Sequence, residues 1–170
     1  MDKAEPTIEV SSWWMRLVVG RRPLRTLVRL AVVVVLTVVL FRVLFIPIKV
    51  TGSSMEPTYH NGRINFINRS AYFRHGPNRG DVVAIQTEDS RFPILKRVLG
   101  LPGENIVLRN GRVAVNGEFL EEPYVRGVGA ARETKMTSLN EDQYFVIGDN
   151  REVTAYGKVT REQIKGKVLF

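Results

Sequence analysis

The sequence contains a serine and a lysine whose settings could pair them for hydrolysis. Ser54 lies in the segment 52–58, which reads Gly-Ser-Ser-Met-Glu-Pro-Thr, and Lys96 lies in the apolar segment 92–99. A serine hydroxyl becomes a nucleophile when a neighbouring base removes its proton. Lysine can be that base if burial lowers its pKa from about 10.4, and the apolar neighbours of Lys96 favour this. The pair predicts a serine–lysine dyad, although each residue alone also fits a simpler role, as a turn serine or a solvated strand lysine.

Two serines compete for the role of nucleophile. Ser53 and Ser54 stand between Gly52, which permits a close approach of the backbone, and Pro57, which stiffens the chain that follows. The residue types alone leave both serines as candidates.

The composition narrows the chemistry further. The 170 residues include no cysteine and only two histidines, His60 and His75. This excludes thiol nucleophiles, disulfide bonds and histidine-rich metal sites, and we expect neither a metal nor an organic cofactor. Both histidines lie in loop-like segments, so we do not expect a serine–histidine–acid triad.

An apolar segment of membrane length precedes the serine. Residues 27–46 are mostly Val, Leu and Phe, with Arg29 and Arg42 near the ends. A helix of this length spans about 30 Å, the thickness of a bilayer core, and terminal arginines can reach the interfaces. Apolar residues cover every face, which favours a transmembrane helix over a buried core helix. No small-residue cleavage site follows, so we predict an uncleaved anchor.

The charge distribution predicts an orientation for this anchor. The net charge is +8, and the stretch up to Ile48 holds seven basic residues against three acidic ones. By the positive-inside rule, residues 1–26 are expected on the cytoplasmic side of the membrane, with 47–170 outside. Trp13 and Trp14 favour the membrane interface. The other basic residues alternate with acidic ones and form no nucleic-acid-reading motif, so nucleic acid is not an expected partner.

Residues 47–170 carry β-strand patterns. Asn110-Gly111 and Asn116-Gly117 favour tight hairpin turns, and Thr160 with Gln163 forms a capping-box pattern for one helical turn. Segment 125–139 is polar and resembles an exposed loop. We predict a mainly β catalytic domain, a sheet or barrel, behind one N-terminal transmembrane helix; the predicted strands are 63–68, 81–85, 105–109, 112–115, 144–147 and 168–170.

Three ordered motifs resemble those of bacterial type I signal peptidases. They are Ser-Met-x-Pro-Thr at 54–58, Lys-Arg-Val-aliphatic-Gly-Leu-Pro-Gly-acid at 96–104, and Gly-Asp-Asn-Arg at 148–151. The segments Arg-Gly-Asp-Val-Val at 79–83 and Glu-Pro-Tyr-Val at 122–125 add to the resemblance, which runs from about residue 41 to 170.

The resemblance implies a function and a set of roles. It implies a signal-peptidase-like fold and hydrolysis after a small residue, which releases exported preproteins from their signal peptides at the lipid bilayer. Ser54, rather than Ser53, is then the nucleophile, Lys96 is the general base, and the Ser54 backbone N–H contributes to the oxyanion hole. No metal is implied, and we expect a monomer.

The last motif departs from the pattern of this family. Thr154 stands where the family has a serine that orients the lysine, and threonine keeps the hydroxyl. Tyr156 and Lys158 replace an aspartate and an arginine, so the opposite charges expected there cannot pair. We further expect Asp149 to pair with Arg97 and to brace the strand that carries the lysine.

Three alternatives share parts of this pattern. A specialised processing peptidase of pilus assembly or conjugation could use the same dyad. A self-cleaving repressor-type protease has a similar dyad and a β fold, but an apolar anchor is not expected in it. The non-enzyme alternative is a catalytically silent homologue that binds exported chains, which the altered segment 154–158 keeps open.

Overall fold

The computed structural model describes residues 23–87, 92–127 and 136–169, and it divides into two compact units, residues 1–43 and 44–170. Most of the predicted basic segment 1–26, including Trp13 and Trp14, lies outside the described residues, as does Phe170.

The described part of the first unit is one helix, α1, Pro23–Leu44. It begins four residues earlier and ends two residues earlier than the predicted span 27–46. Proline fits the first turn of a helix, where its missing N–H costs no hydrogen bond. The most apolar 18-residue stretch within Leu24–Leu44 has a mean hydropathy of 2.6, and none of this stretch is buried. By length and composition this helix can cross a membrane.

The second unit is built from strands, which confirms the mainly β prediction. The strands in its described residues are β1 Phe45–Lys49, β2 Ile64–Asn68, β3 Val82–Ile85, β4 Ile94–Gly100, β5 Asn105–Arg109, β6 Arg112–Val115, β7 Glu118–Phe119, β8 Thr137–Ser138, β9 Gln143–Ile147, β10 Tyr156–Thr160 and β11 Ile164–Leu169. Seven of these described strands form one antiparallel sheet in the order β1-β2-β11-β3-β4-β9-β10, and the other four form a second sheet in the order β7-β6-β5-β8.

The two turns predicted from Asn-Gly pairs are confirmed. Asn110 and Gly111 have φ of 50° and 74° and join β5 to β6, while Asn116 and Gly117 have φ of 51° and 95° and join β6 to β7. A two-residue turn of this kind needs positive φ at both positions, which asparagine and glycine tolerate best. Local sequence therefore determines the β5-β6-β7 part of the second sheet.

Two other local predictions have different outcomes. The capping box of Thr160 and Gln163 is present on a single 3-10 turn, Arg161–Gln163. The predicted loop 125–139 is described only at 125–127 and 136–139, and its end is more structured than its polarity suggested. Its end contains β8 and the buried Leu139, whose backbone N–H bonds to the carbonyl of Glu104.

Apolar clusters hold the sheets and the serine segment together. One cluster joins the two sheets, with Phe145 and Ile147 of β9 against Ile106 and Leu108 of β5. A second cluster packs Met55 of the serine segment against Val82, Ala84 and Leu95 of β3 and β4. Full burial of such a side chain stabilises a fold by about 1.5–3 kcal/mol. The core thus fixes the segment that carries Ser54 beside the strand that carries Lys96.

Candidate active site

Ser54 and Lys96 line one cavity of about 320 Å³. Ser54 enters it from the segment after β1, and Lys96 enters it from the middle of β4. Much of the remaining wall is apolar and comes from four parts of the chain: Ile48, Val50, Met55, Ile94, Leu95 and Val153. Lys49 and Thr51 also line it. A cavity with apolar walls around a serine hydroxyl and a buried lysine amine suits a short uncharged side chain beside a reacting carbonyl.

The serine segment is held by side chains on both sides of Ser54. Met55 is 2 % exposed and packs into the core, while Asn150 bonds to the carbonyls of Ser53 and Ser54, at 3.1 Å in each case. Gly52 has a φ of 90°, and no atom lies within 4 Å of where its Cβ would be. Glycine is therefore favoured here by the positive φ. The sequence-based expectation that another part of the backbone passes close to Gly52 is wrong.

Within the described ranges, the Ser54 N–H donates to no other group. It therefore remains available for an anionic oxygen that develops next to Ser54 Oγ.

Lys96 is buried in the large sheet and directed at a hydroxyl. It pairs with Val83 of β3, is 7 % exposed, and its Nζ lies 2.9 Å from Thr154 Oγ1. Burial lowers the pKa of Lys96, and the nearby carboxylate of Asp149 acts in the opposite direction with a smaller effect. Burial thus favours the neutral amine, the form that can accept a proton.

Thr154 stands at the centre of three hydrogen bonds. Its Oγ1 accepts from Lys96 Nζ and from the N–H of Gly148, each at 2.9 Å, and lies 2.9 Å from the carbonyl of Ala155, to which it donates. The hydroxyl proton of Thr154 is directed at Ala155, so its oxygen can accept a hydrogen bond from an N–H of the Lys96 amine. The nitrogen lone pair of a neutral Lys96 is then left free. No hydrogen bond joins Lys96 to Ser54 among the described residues.

Behind Lys96, Arg97 and Asp149 form a buried ion pair. Arg97 Nε and Nη2 donate to the two oxygens of Asp149 at 2.8 and 2.5 Å, and Asp149 is 0 % exposed. Thr58 Oγ1 donates to the same carboxylate at 2.5 Å. Because neighbouring side chains of a strand point to opposite faces, Lys96 and Arg97 reach different partners. The pair therefore connects the lysine strand, the serine segment and the turn after β9.

Gly148, Asp149 and Asn150 of the turn 148–151 contact the site, and Arg151 holds the turn from behind, which the motif alone did not reveal. A Cβ on Gly148 would lie 2.2 Å from the Ser54 carbonyl oxygen and 2.3 Å from Thr154 Oγ1, so only glycine fits. Arg151 is 1 % exposed, and it donates to the carbonyls of Gly148 and Gly111 and to Glu122. Within this turn, the sequence predicted a role only for Asp149 and not for Asn150. It also gave no role to Thr58 of the serine segment. The partners of Asn150 and Thr58 are distant in the chain.

The two departures from the family pattern have a structural counterpart. Tyr156 opens β10 opposite Ile147 and packs its ring on Phe145, with centroids 6.0 Å apart, against the cluster that joins the sheets. Lys158 is exposed. Apolar packing thus takes the place of the opposite charges that hold this segment in the family pattern.

Arg97→Met is expected to shift the acidic limb of the pH–rate profile to higher pH by about one unit or more. The unpaired Asp149 would raise the pKa of Lys96, so the base would be protonated at pH values where it is now neutral. The variant is also expected to be destabilised by about 3–5 kcal/mol, since it leaves a buried charge unpaired. The pH dependence of kcat/KM and thermal unfolding measure the two effects.

The control variant is Arg79→Met, which breaks an ion pair with Glu104 between two loops of the second unit. We expect the acidic limb of the pH–rate profile of Arg79→Met to lie at the same pH as in the wild type. Adding Asp149→Asn to Arg97→Met should move the limb back towards lower pH. An Arg97→Met protein with the original limb would contradict the role of the ion pair.

Comparisons with known proteins identify the relatives of this chain. The family model described as signal peptidase, peptidase S26, matches residues 24–170. Signal peptidase I T of Bacillus subtilis strain 168 is 33 % identical over 155 residues, which cover 83 % of this chain and 80 % of that protein. A signal peptidase I of Bacillus licheniformis is 33 % identical over 153 residues, which cover 82 % of each chain. A crystal structure of a signal peptidase I from Enterococcus faecalis V583 shares 27 % identity over 54 % of this chain and 95 % of that one, with a TM-score of 0.41.

These matches do not favour the alternatives of a pilus or conjugation peptidase, a repressor-type protease or a silent binding module. The family model covers the anchor helix and all eleven described strands. The chain therefore belongs to the signal peptidase family, peptidase S26, and is a serine endopeptidase of the signal peptidase I type.

Proposed function

We propose that Ser54 and Lys96 are the catalytic dyad of a peptidase that removes signal peptides from exported preproteins. The observation that carries the proposal is the buried Lys96 amine, held at 2.9 Å from Thr154 Oγ1 in the cavity that Ser54 lines. A buried amine with an oriented lone pair is the base that a serine hydroxyl needs.

The reaction follows from these positions. Ser54 Oγ attacks the scissile carbonyl while Lys96 takes its proton, and the Ser54 N–H donates to the oxyanion. The tetrahedral intermediate breaks its C–N bond as Lys96 returns the proton to the leaving amine. Water, deprotonated by Lys96, then attacks the acyl-serine ester. The bond between the acyl carbon and Ser54 Oγ breaks, Lys96 returns the proton to Ser54 Oγ, and the signal peptide leaves as a carboxylic acid. Catalytic hydrogen bonds often tighten only when substrate is bound. The hydrogen bond between Ser54 Oγ and Lys96 Nζ therefore forms in the complex with substrate.

Thr154, Asp149 and Arg97 act as positioning residues in this scheme. Thr154 sets the direction of the Lys96 amine, and Arg97 compensates the charge of Asp149 beside that amine. No metal or organic cofactor takes part in these steps.

The substrate binds as an extended strand, so alternate side chains enter the cavity. The walls formed by Ile48, Ile94 and Val153 leave room for a small apolar residue immediately before the cut. The first and third residues before the cut face the protein, and the second points away.

The helix α1 anchors the chain in the bacterial cell membrane, with the basic N-terminal residues inside and the peptidase unit outside. Both the enzyme and its preprotein are then confined to one membrane, which raises their effective concentration. One copy carries both dyad residues, so a monomer is sufficient.

A preprotein with paired substitutions around the cut tests the proposed specificity. Alanine to leucine at the first position before the cut is expected to reduce cleavage by at least about 100-fold. The cavity must also take the substrate backbone and the third residue before the cut, so a leucine beside the dyad would displace the scissile carbonyl from Ser54. The same change at the second position, where the side chain points away, should have little effect. Product masses from detergent-solubilised protein measure both. Equal cleavage of the two substrates, or no cleavage of the parent preprotein, would contradict the proposal.

A further inference from the structure

A segment outside the dyad, residues 122–126, lies along the back of the turn 148–151. The Arg126 N–H bonds to the carbonyl of Asp149 and the Arg151 N–H bonds to the carbonyl of Arg126, both at 3.1 Å. These bonds form a short parallel bridge between two parts of the chain that are more than 20 residues apart. The Glu-Pro-Tyr-Val motif in this segment has so far been given no role.

Glu122 attaches the beginning of this segment to the turn. It receives hydrogen bonds from the buried guanidinium of Arg151, and the two side chains are 6 % and 0 % exposed. Tyr124 Oη lies 3.3 Å from Glu122 Oε1 and donates to it. The segment is therefore fixed on both sides of Tyr124, by Glu122 before it and by Arg126 after it.

Tyr124 covers the ion pair behind the dyad. Its ring lies over the Arg97 guanidinium, with 3.9 Å between Cζ and the ring centroid, and the tyrosine also packs against the cluster that joins the two sheets. Arg97 is thus held in its plane by the Asp149 carboxylate and from one face by an aromatic ring. A cation over an aromatic face is attracted more strongly where water is excluded.

We infer that Tyr124 is a positioning residue of the catalytic dyad, which acts by keeping Arg97 on Asp149 and water away from that ion pair. The inference rests on the proposed role of Lys96 as the general base. Tyr124 touches neither member of the dyad in the described hydrogen bonds and ring contacts, so its effect reaches Lys96 through Arg97 and Asp149.

The charges around the pair determine the sign of the effect. Among the described residues, Lys96, Tyr59 and Tyr124 interact with the ion pair of Arg97 and Asp149, and Glu122 and Arg151 interact with Tyr124. Burial raises the pKa of Tyr59 to about 12 and also raises that of Tyr124, so both tyrosines stay neutral in the working range. Without the ring, water enters and Arg97 loses one support. Both changes favour protonated Lys96, and the acidic limb moves to higher pH.

The test measures kcat and KM from acid to alkaline pH with the full chain and a preprotein. Tyr124→Leu, which keeps an apolar side chain but removes the aromatic face, is expected to lower kcat about tenfold below neutral pH, with KM unchanged. Its acidic limb should move to higher pH. Tyr124→Phe keeps the ring and should behave as the wild type.

The matched control is Phe119→Leu, which removes another ring from an arginine, since Arg112 Cζ lies 4.8 Å from the Phe119 centroid. It should leave the pH profile unchanged. A wild-type limb in folded Tyr124→Leu, or the same shift in Phe119→Leu, would overturn the inference. If Tyr124→Leu is unfolded, Tyr124→Met takes its place in the test, because the flexible methionine side chain fills irregular space. A wild-type acidic limb in folded Tyr124→Met would likewise overturn the inference. Absence of cleavage by the wild type would instead overturn the proposed function.

Discussion

Lys96→Met is expected to remove peptide hydrolysis and at the same time to make the protein more stable. Loss of the base should lower kcat by about four to six orders of magnitude. The methionine fills similar space without an amine to desolvate, so we expect the free energy of unfolding to rise by about 0.5–2 kcal/mol at neutral pH. A preprotein cleavage assay and thermal unfolding of the same sample measure both effects.

The stability gain has a predictable pH dependence. Burial lowers the pKa of Lys96 in the folded protein below the value near 10.4 of an unfolded chain. The unfolded state therefore binds the proton more readily, and the cost to the fold grows as the pH falls below about 10.4. The melting temperature of Lys96→Met should exceed that of the wild type most at neutral or lower pH, with the smallest difference at the alkaline end.

The control for Lys96→Met is Lys165→Met, because Lys165 is an exposed lysine in the same sheet. It should keep the activity and show no comparable change in melting temperature with pH. A Lys96→Met protein that still cleaves, or one that melts below the wild type throughout, would contradict a buried neutral base.

Gly148→Ala is expected to lower kcat by at least about 100-fold, because one methyl group would displace both sides of the site. The added Cβ would lie 2.2 Å from the backbone oxygen of Ser54 and 2.3 Å from Thr154 Oγ1. Neither residue can move without changing the serine segment or the hydrogen bond to Lys96. The overpacking should also destabilise the fold by about 1–3 kcal/mol.

Gly157→Ala provides the matched control for Gly148→Ala. Gly157 lies on β10, and no atom is within 4 Å of the position of its Cβ. This variant should cleave at close to the wild-type rate. Gly148→Ala with a wild-type kcat would show that the turn 148–151 does not set the geometry of the dyad.

Much of the fold is encoded in local sequence. The Asn-Gly turns need only two neighbouring residues, and the helix α1 needs only its composition, so both could be predicted. The end of α1 could not, because Phe45 and Ile46 leave the helix to pair with Asn68 and Ile67 of β2. The position at which α1 ends therefore depends on β2, a strand about 20 residues further along the chain. β8 escaped prediction for the same reason, since its pairing with β5 outweighs its polar sequence.

Those site residues that belong to motifs in a fixed order along the chain could be predicted from the sequence. Those that act through contacts with distant parts of the chain could not. Ser54, Lys96 and Thr154 followed from motifs, and the cavity and the hydrogen bond to Thr154 bring them together. The contacts of Asn150 with the serine segment and of Tyr124 with Arg97 join residues many positions apart. No periodicity or spacing in a single sequence signals such contacts.

The central claim is that Ser54 is the nucleophile, and its neighbour Ser53 allows a direct test. The initial rate of preprotein cleavage should be measured for the wild type, Ser54→Ala and Ser53→Ala, with the new N-terminus identified by mass spectrometry. Ser53 contributes only its carbonyl to the hydrogen bonds described, so Ser53→Ala should cleave at close to the wild-type rate. Ser54→Ala should show no cleavage above the uncatalysed rate. Cleavage at the same bond by Ser54→Ala, or its loss in Ser53→Ala alone, would contradict the account.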